Sequence, residues 1–428
     1  MFQTIRNAWK IEELRRKILF TLFIVLLYRI GNSVPVPYVD TTLLGAYFAN
    51  LQNTVLGLYN VMSGSSFSQA TIFALSIQPY INASIIIQLL CIAIPALERL
   101  QKDGGEDGKK KLERITRYST VFIGLLQGFA FYILIKNNSL LTPEGSGIWP
   151  AIVIILTFTA GSALLMWLGE QITEFGIGNG ISIILFVSIV SRFPTQIGQM
   201  ISNTIQNPGK WWIYTLMLIG ALAIIVLIVI VTNAERRIPI QYSKRVVGRK
   251  MYGGQSTFLP MKVNMSGVLP VIFASSIASL PATVAAFVPR WSNGWFIKFF
   301  DTGNIPYMVL YFLLIIFFSY FYSTIQFNPI EIANNLKKNG GFIPGFRAGR
   351  PTSEFIQRVL NKITLFGAIY LAIVAIVPLI ISYVSPTARS SGISLGGTSI
   401  IIVIGVALET VKALESQMLM RHYKGFLE

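Results

Sequence analysis

The feature that most restricts this chain is the recurrence, along its whole length, of apolar stretches of the size a bilayer demands. A hydrocarbon core about 30 Å thick is crossed by a helix of about 20 residues. Such stretches lie near residues 18–36, 71–95, 116–136, 150–169, 181–201, 211–232, 264–288, 306–327, 362–384 and 396–412. Lipid offers backbone N–H and C=O groups no partner, so runs of this length are expected to be helices that satisfy their own backbone. Only 12% of the 428 residues are charged while 53% are hydrophobic, too little polar surface to cover a soluble domain of this size. The expected fold is an all-α polytopic membrane protein of about ten spans with no separate soluble domain.

Orientation follows from Lys and Arg. The segments before the first span, on the same side between later spans, and after the tenth carry 28 of them, against 6 in the opposite loops. That asymmetry predicts cytoplasmic termini. The net charge of +17 then belongs to one face, where it both sets orientation and attracts anionic lipid or an acidic or nucleic-acid-rich partner. Within residues 1–17, Phe2, Ile5 and Trp9 fall at helical spacing opposite Arg and Lys, the pattern of a helix lying on the membrane surface. With no small-residue cleavage site before Pro35 and Pro37, the first span is expected to be retained. Two basic-side loops are longer than topology needs. Residues 233–264 carry Arg236, Arg237, Lys244, Arg245, Arg249 and Lys250, and residues 327–361 carry Lys337, Lys338, Arg347 and Arg350. With turn formers at Gly253-Gly254 and Gly340-Gly341, they read either as structured projections for a docking partner or as solvated basic loops.

Several chemistries lack their residues. Ion-coupled transport needs converging ionisable groups within the membrane, and here Arg29 and Glu170 stand near span ends, where snorkelling relieves them. The stretch Gly104 to Lys111 has the wrong spacing for a phosphate loop, and Gly176, Gly178 and Gly180 join two membrane helices without the βαβ setting of a dinucleotide site. GIGNG reads as a helix stop and hinge. Cys91 reads as a small buried hydrophobe, and His422 has no second ligand at metal spacing. No cofactor, metal or catalytic residue is expected.

Two spans are unusual in proline and small polar residues: Pro79, Asn82, Ser84 and Gln88 in the second, and Pro270, Ser275, Ser276 and Pro281 in the seventh. Helices so composed kink and shift. In the second, Ile77, Ile81, Ile85 and Leu89 form an apolar stripe beside the polar one. Between the first two spans, residues 34–70 contain no Lys or Arg. They are too polar to span and too apolar for a free loop, which leaves an external cap or a short re-entrant element around Ser63 to Ser66 buried in protein.

The segments PYINASIIIQLL, EFGIGNGIS, QSTFLPMKVNMSGVLP and GGFIPGFRAGRPT closely resemble, in the same order, those that mark the SecY family, the channel-forming subunits of the bacterial Sec translocon. The resemblance runs from RIGNSVPVP to GGTSIIIV. It implies an hourglass of two inverted five-helix halves, residues 18–202 and 211–412, joined by an external hinge at 203–210, with a cytoplasmic tail at 413–428. It implies a pore ring of Ile81, Ile85, Leu185, Ile189 and Ile272, with a tenth-span member that is either Ala407, by match to the GGTS motif, or Ile404 one turn earlier. The family's plug, a short helix, corresponds to residues 58–70, including Tyr59, Asn60, Met62, Ser63, Gly64, Ser65, Ser66 and Phe67. A lateral gate would contain Asn82, Ser84, Gln88, Ser275, Ser276 and Leu280. The loops with Arg236, Arg237, Lys244, Arg245, Arg249, Lys250, Arg347 and Arg350 would dock the ribosome and the SecA motor. SecE and SecG are implied companions, secretory and membrane proteins the substrates, and the cytoplasmic membrane of a bacterium the location. Ala348 stands where the family often has proline, so the Arg347 loop lacks that restraint.

A reporter enzyme that folds only outside the cytoplasm is expected to be active when fused at Lys210 and inactive when fused after Glu428. The reverse pattern would invert the topology read from charge.

Overall fold

Sixteen α-helices and two small sheets are formed in a computed structural model that describes residues 2–50, 55–102, 104–145, 147–206, 208–242, 245–247, 250–252, 256–265, 267–287, 304–384 and 397–424. The first ten helices are α1 (Phe2–Lys10), α2 (Glu12–Gly31), α3 (Thr41–Asn50), α4 (Val55–Met62), α5 (Gln78–Ala93), α6 (Pro95–Lys102), α7 (Gly105–Asn137), α8 (Ile148–Phe175), α9 (Gly180–Val190) and α10 (Phe193–Gln206). They are followed by α11 (Trp211–Asn233), α12 (Leu269–Phe287), α13 (Ile305–Gln326), α14 (Pro329–Lys338), α15 (Arg350–Val384) and α16 (Gly397–Lys424). Among the described residues six helical stretches are long and apolar enough to cross a bilayer, or seven if the bent pair α5–α6 is taken as one span. The six involve α7, α8, α9 with α10, α13, α15 and α16, which makes the chain a multi-pass membrane protein.

The second apolar stretch departs most from expectation. Its helix starts at Gln78 rather than near 71, with Pro79 in the first turn, where its missing N–H is harmless. Residues 63–77 run in turns, with left-handed backbone at Ser65, Ala70 and Ser76. This irregular backbone is tied to residues 34–36: Val36 N–H donates to Ala70 C=O at 2.8 Å and Ile72 N–H to Val34 C=O at 3.0 Å. At its other end α5 stops before Pro95, and α6 leaves at 102°. Glu98 in α6 accepts from Lys102 at 2.6 Å, a bond that holds its carboxyl below the usual range.

Other boundaries shift for simple reasons. α7 and α15 begin at Gly105 and Arg350, well before their apolar stretches, because charged residues extend each helix beyond the apolar span. The first turns of α7 take up most of Gly104 to Lys111. The GIGNG segment is a helix stop: α8 ends at Gly176, Gly178 adopts φ +72°, and the Asn179 side chain caps α9 by accepting from the N–H groups of Ile181 (3.1 Å) and Ser182 (3.2 Å). Asp40 does the same for α3, and its bonds from the Thr42 hydroxyl and Leu43 N–H hold its carboxyl below the ordinary range.

The all-α expectation misses both sheets. β1 (Glu235–Tyr242) pairs antiparallel with β4 (Ser256–Lys262), setting Ile238 opposite Leu259, and its Tyr242 end also pairs with β5 (Gly341–Phe342). At the hairpin tip β2 (Arg245–Val247) pairs with β3 (Lys250–Tyr252). Burial alternates along β1, and the inward Ile238 and Ile240 join Met261, Leu336, Ile343, Ile356 and Leu360 in a core of their own. The two long basic loops are therefore one body, built on α14 and the start of α15.

The main core gathers side chains from α2, α5, α8, α9, α12, α13, α15 and α16. Within the first half α7 packs on α5 and α8. Farther along the chain α13 lies between α12 and α15, and α5 meets α12 as α9 meets α16. Arg117 on α7 and Glu170 on α8, 2.9 Å apart, form an ion pair, so Glu170 has a partner rather than solvent alone. Close helix approach depends on glycine: a Cβ at Gly180 would lie 1.9 Å from Gly169 C=O. Gly180→Ala is expected to destabilise the fold by about 1–3 kcal/mol, read as a lower unfolding midpoint in detergent. Gly198→Ala on α10, with open space around it, is expected to leave that midpoint the same or higher.

Candidate functional site

Aliphatic side chains from separate helices are buried together in the main core. Ile81 and Ile85 on α5, Leu185 and Ile189 on α9 and Ile272 on α12 are each between 1% and 4% exposed and share one contiguous cluster. Of the two tenth-span candidates on α16, Ile404 packs against that cluster but is half-buried, as is Ala407, whereas Ile401 and Val406 are buried within it. Side chains of this kind can close around a varied chain without demanding particular hydrogen bonds, and a greasy constriction resists water and ions.

Against α9 near Ile189 lies the segment expected to be a plug helix over 58–70. The structure divides it. Tyr59, Asn60 and Met62 belong to α4, while Ser63, Gly64, Ser65, Ser66 and Phe67 lie in the turns that follow. A continuous helix is prevented by left-handed backbone at Gly64 (φ +68°) and Ser65 (φ +73°). The turn is held by short local bonds: Ser63 Oγ donates to Asn60 C=O at 3.2 Å, and Asn60 Oδ1 accepts from Ser68 N–H at 3.0 Å. Gly64 sits where a Cβ would be 2.8 Å from Ser188 C=O on α9, one residue from Ile189. Phe67 anchors the turn on the other side, stacked on Phe131 of α7 with centroids 4.1 Å apart.

The seam between α5 and α12 is polar. Ser276 Oγ donates to Gln78 Oε1 at 3.4 Å, and Gln78 Nε2 to Met62 Sδ at 3.4 Å. Ser275 bonds back to Ile272 C=O, and Asn82 is buried with its Nδ2 unpartnered among the described residues. Gln88 donates to Ser84 Oγ at 3.2 Å and accepts from Tyr322 Oη at 2.5 Å. Leu280 is exposed, at the edge of an apolar cavity of about 540 Å³ that Asn82, Ile85, Ile123, Gln127 and Ile277 also line. Gln78 and Tyr322 were not singled out by sequence. Gln78 falls inside the apolar stretch 71–95, where a single amide beside Pro79 does not stand out, and Tyr322 sits in FFSYFYSTIQ, where one more aromatic looks like core.

On the strand-bearing body Arg236, Arg237, Arg347 and Arg350 are exposed. Arg237 bonds Glu235 (2.7 Å) and Arg350 bonds Glu354 (3.0 Å), surface pairs worth well under about 1 kcal/mol. Lys244 and Arg249 lie outside the described residues, and Arg245 and Lys250 are placed only by backbone, in β2 and β3. Cys91 is buried and unpaired.

Residues 71–411 match the SecY family model. The protein translocase subunit SecY of Streptomyces scabiei is 44% identical over the whole of both chains, and that of Mycobacterium bovis 42%. The chain belongs to the SecY family. As a SecY-family protein translocase subunit it is a conduit and not an enzyme. The fold agrees with a solved structure described as a protein conducting channel, at TM-score 0.69 and 17% identity, covering 94% of this chain and 92% of that one. Sec61 in the canine ribosome-channel complex from the endoplasmic reticulum superposes at TM-score 0.64 with 16% identity and the same coverage.

The geometry of the Phe67–Phe131 stack gives it a measurable value. In a double-mutant cycle of Phe67→Leu and Phe131→Leu, unfolding in detergent is expected to show coupling of about 0.5–1.5 kcal/mol. Additive effects would mean that the turn is not held by this stack.

Proposed function

We propose that this subunit passes unfolded secretory polypeptides across the cytoplasmic membrane of a bacterium and releases transmembrane segments sideways into lipid. The observation that carries the proposal is the convergence of Ile81, Ile85, Leu185, Ile189 and Ile272 from three helices into one buried cluster, with Ile404 beside it. On this reading the chain is an hourglass of ten spans in two inverted halves, 18–202 and 211–412, with both termini cytoplasmic and the hinge at 203–210. The cluster is the waist in its closed form. Residues 58–70 fill the funnel outside it, the small side chains Ser63 to Ser66 making displacement inexpensive. A solved structure whose description credits the plug domain of SecY with stabilising the closed channel and maintaining a membrane seal superposes at TM-score 0.64 and lends this support.

The lateral gate is the seam of α5 and α7 against α12 and α13. Partition through it is thermodynamic: a segment of about 20 apolar residues gains by entering lipid, while a central Asp, Lys or Arg costs about 2.5–3.5 kcal/mol. The strand-bearing body, with Arg236, Arg237, Lys244, Arg245, Arg249, Lys250, Arg347 and Arg350, docks the ribosome through charge-assisted bonds to rRNA phosphate, or the SecA ATPase. Energy comes from those partners, and SecE and SecG complete the complex. The ribosome-bound canine channel supports this arrangement.

The test is crosslinking of a stalled secretory chain to single cysteines at Ile85, Ile189 and Ile272 in a Cys91→Ser background, in membranes containing the companion subunits. All three positions are expected to report the translocating chain. Translocation without contact at any of them would remove the waist assignment.

A further inference from the structure

Side-chain hydrogen bonds cross the seam between the proposed halves, and they differ in quality. Ser276 to Gln78 and Ser279 to Tyr59 are long, at 3.4 and 3.5 Å, whereas Tyr322 to Gln88 is 2.5 Å. Gln88 lies in the last turns of α5, near the elbow to α6, and Tyr322 in the last turns of α13, one residue before Ser323. Both therefore sit toward the end of the bundle that carries the hairpin, whereas Gln78 opens α5 at the other end.

The donor pattern fixes the Gln88 amide. A phenolic O–H facing an amide at this distance donates to its oxygen, which leaves the Nε2 group for Ser84 on the same helix. The two bonds orient Gln88 so that its carbonyl points across the seam. Tyr322 is fixed as firmly on its own side. Its ring packs on Phe273 of α12 at 5.1 Å and on Phe321 at 5.9 Å, and the adjacent Ser323 bonds Thr364 of α15 at 2.8 Å. Three helices of the second half thus hold one hydroxyl, and that hydroxyl holds the first half.

Resting on the lateral-gate reading above, we infer that Tyr322 is the latch of that gate, its hydroxyl on Gln88 setting how apolar a leading segment must be to part α5 from α13. Parting the seam removes the short bond while each half keeps its internal packing. In apolar surroundings the separated hydroxyl and carbonyl then lack partners. A segment that is strongly apolar gains enough from lipid to open the seam regardless, whereas a marginal one does not. Hydrogen bonds between membrane helices are modest, so the latch is worth about threefold in the open-to-closed ratio. That is a discriminating weight, not a lock.

The test uses membrane vesicles containing the complete complex with wild-type chain, Tyr322→Phe, Gln88→Leu or both. Transport is compared for a secretory protein with a strongly apolar leading segment and for the same protein with one charge in that segment. Tyr322→Phe keeps the ring against Phe273 and is expected to raise the weak-to-strong transport ratio about threefold. Gln88→Leu should do the same, and the double variant no more than either, since both remove one bond. An unchanged ratio, additive effects, or an equal fall for both substrates would overturn the latch, the last assigning Tyr322 to stability alone. The gate reading is tested separately in wild type, by a photo-crosslinker at the exposed Ile86 or Leu280. Failure of the strong segment to crosslink there would remove the gate itself, whatever Tyr322→Phe does.

Discussion

Everything in this molecule depends on the backbone finding its hydrogen-bond partners without water. Helices meet that demand internally, which is why they fall on the long apolar stretches. Irregular backbone can exist at membrane depth only where protein supplies partners. Residues 63–77 meet that condition through Asn60, Ser63 and the extended residues 34–36. Close packing lets them stay there: a Cβ at Gly161 would lie 1.9 Å from Ile72 C=O, so α8 accepts the turn only because that position has no side chain. The turn, the waist and the first helix of the seam all follow from this arrangement.

On the function proposed above, the waist and the seam divide two tasks that need opposite chemistry. A passage for varied sequence must avoid specific bonds, and the converging side chains are aliphatic, with no fixed hydrogen-bond demand. A boundary that opens toward lipid must remain closed to ordinary fluctuation yet yield to an apolar segment. Ser276, Gln78, Gln88 and Tyr322 provide a few modest polar contacts along α5 for that purpose. A wholly apolar seam would have no such selectivity, since lipid tails compete equally for apolar surfaces.

Much of this was legible in the residues, for reasons that can be named. Stretches such as 150–169 and 306–327 are uniformly apolar over a full bilayer width, so length alone identified them. The stripe of Ile77, Ile81, Ile85 and Leu89 was legible as one apolar face of a helix, while its reading as part of a pore ring came from the resemblance alone. What sequence hid was mostly set by neighbours. The run from Thr71 to Ile77 is as apolar as the helix after it, and only contacts with residues 34–36 and α8 make it a turn. The strand β1 is ERRIPIQY, whose charges and Pro239 mask the alternation of Ile238 and Ile240. Its partner β5 is two residues long and lies about a hundred residues away, so no local pattern marks it. The plug segment was recognised by resemblance, but its internal break at Gly64 and Ser65 is a backbone property that small residues permit without announcing.

The elbow at Ile94 has a mechanical consequence. At about 1.5 Å per residue, the 16 residues of α5 measure about 24 Å, several ångströms less than a typical hydrocarbon core. The helix that carries Ile81, Ile85 and Gln88 therefore does not reach across the bilayer alone. Turns buried in protein complete it at one end, and at the other α6 turns away at 102°. Where lipid borders α5, so short a helix favours a thinner bilayer, and any swing of α5 carries its cranked end with it. Membrane thickness thus enters the energetics of this one helix directly, as a spring acting on the shorter arm of a lever.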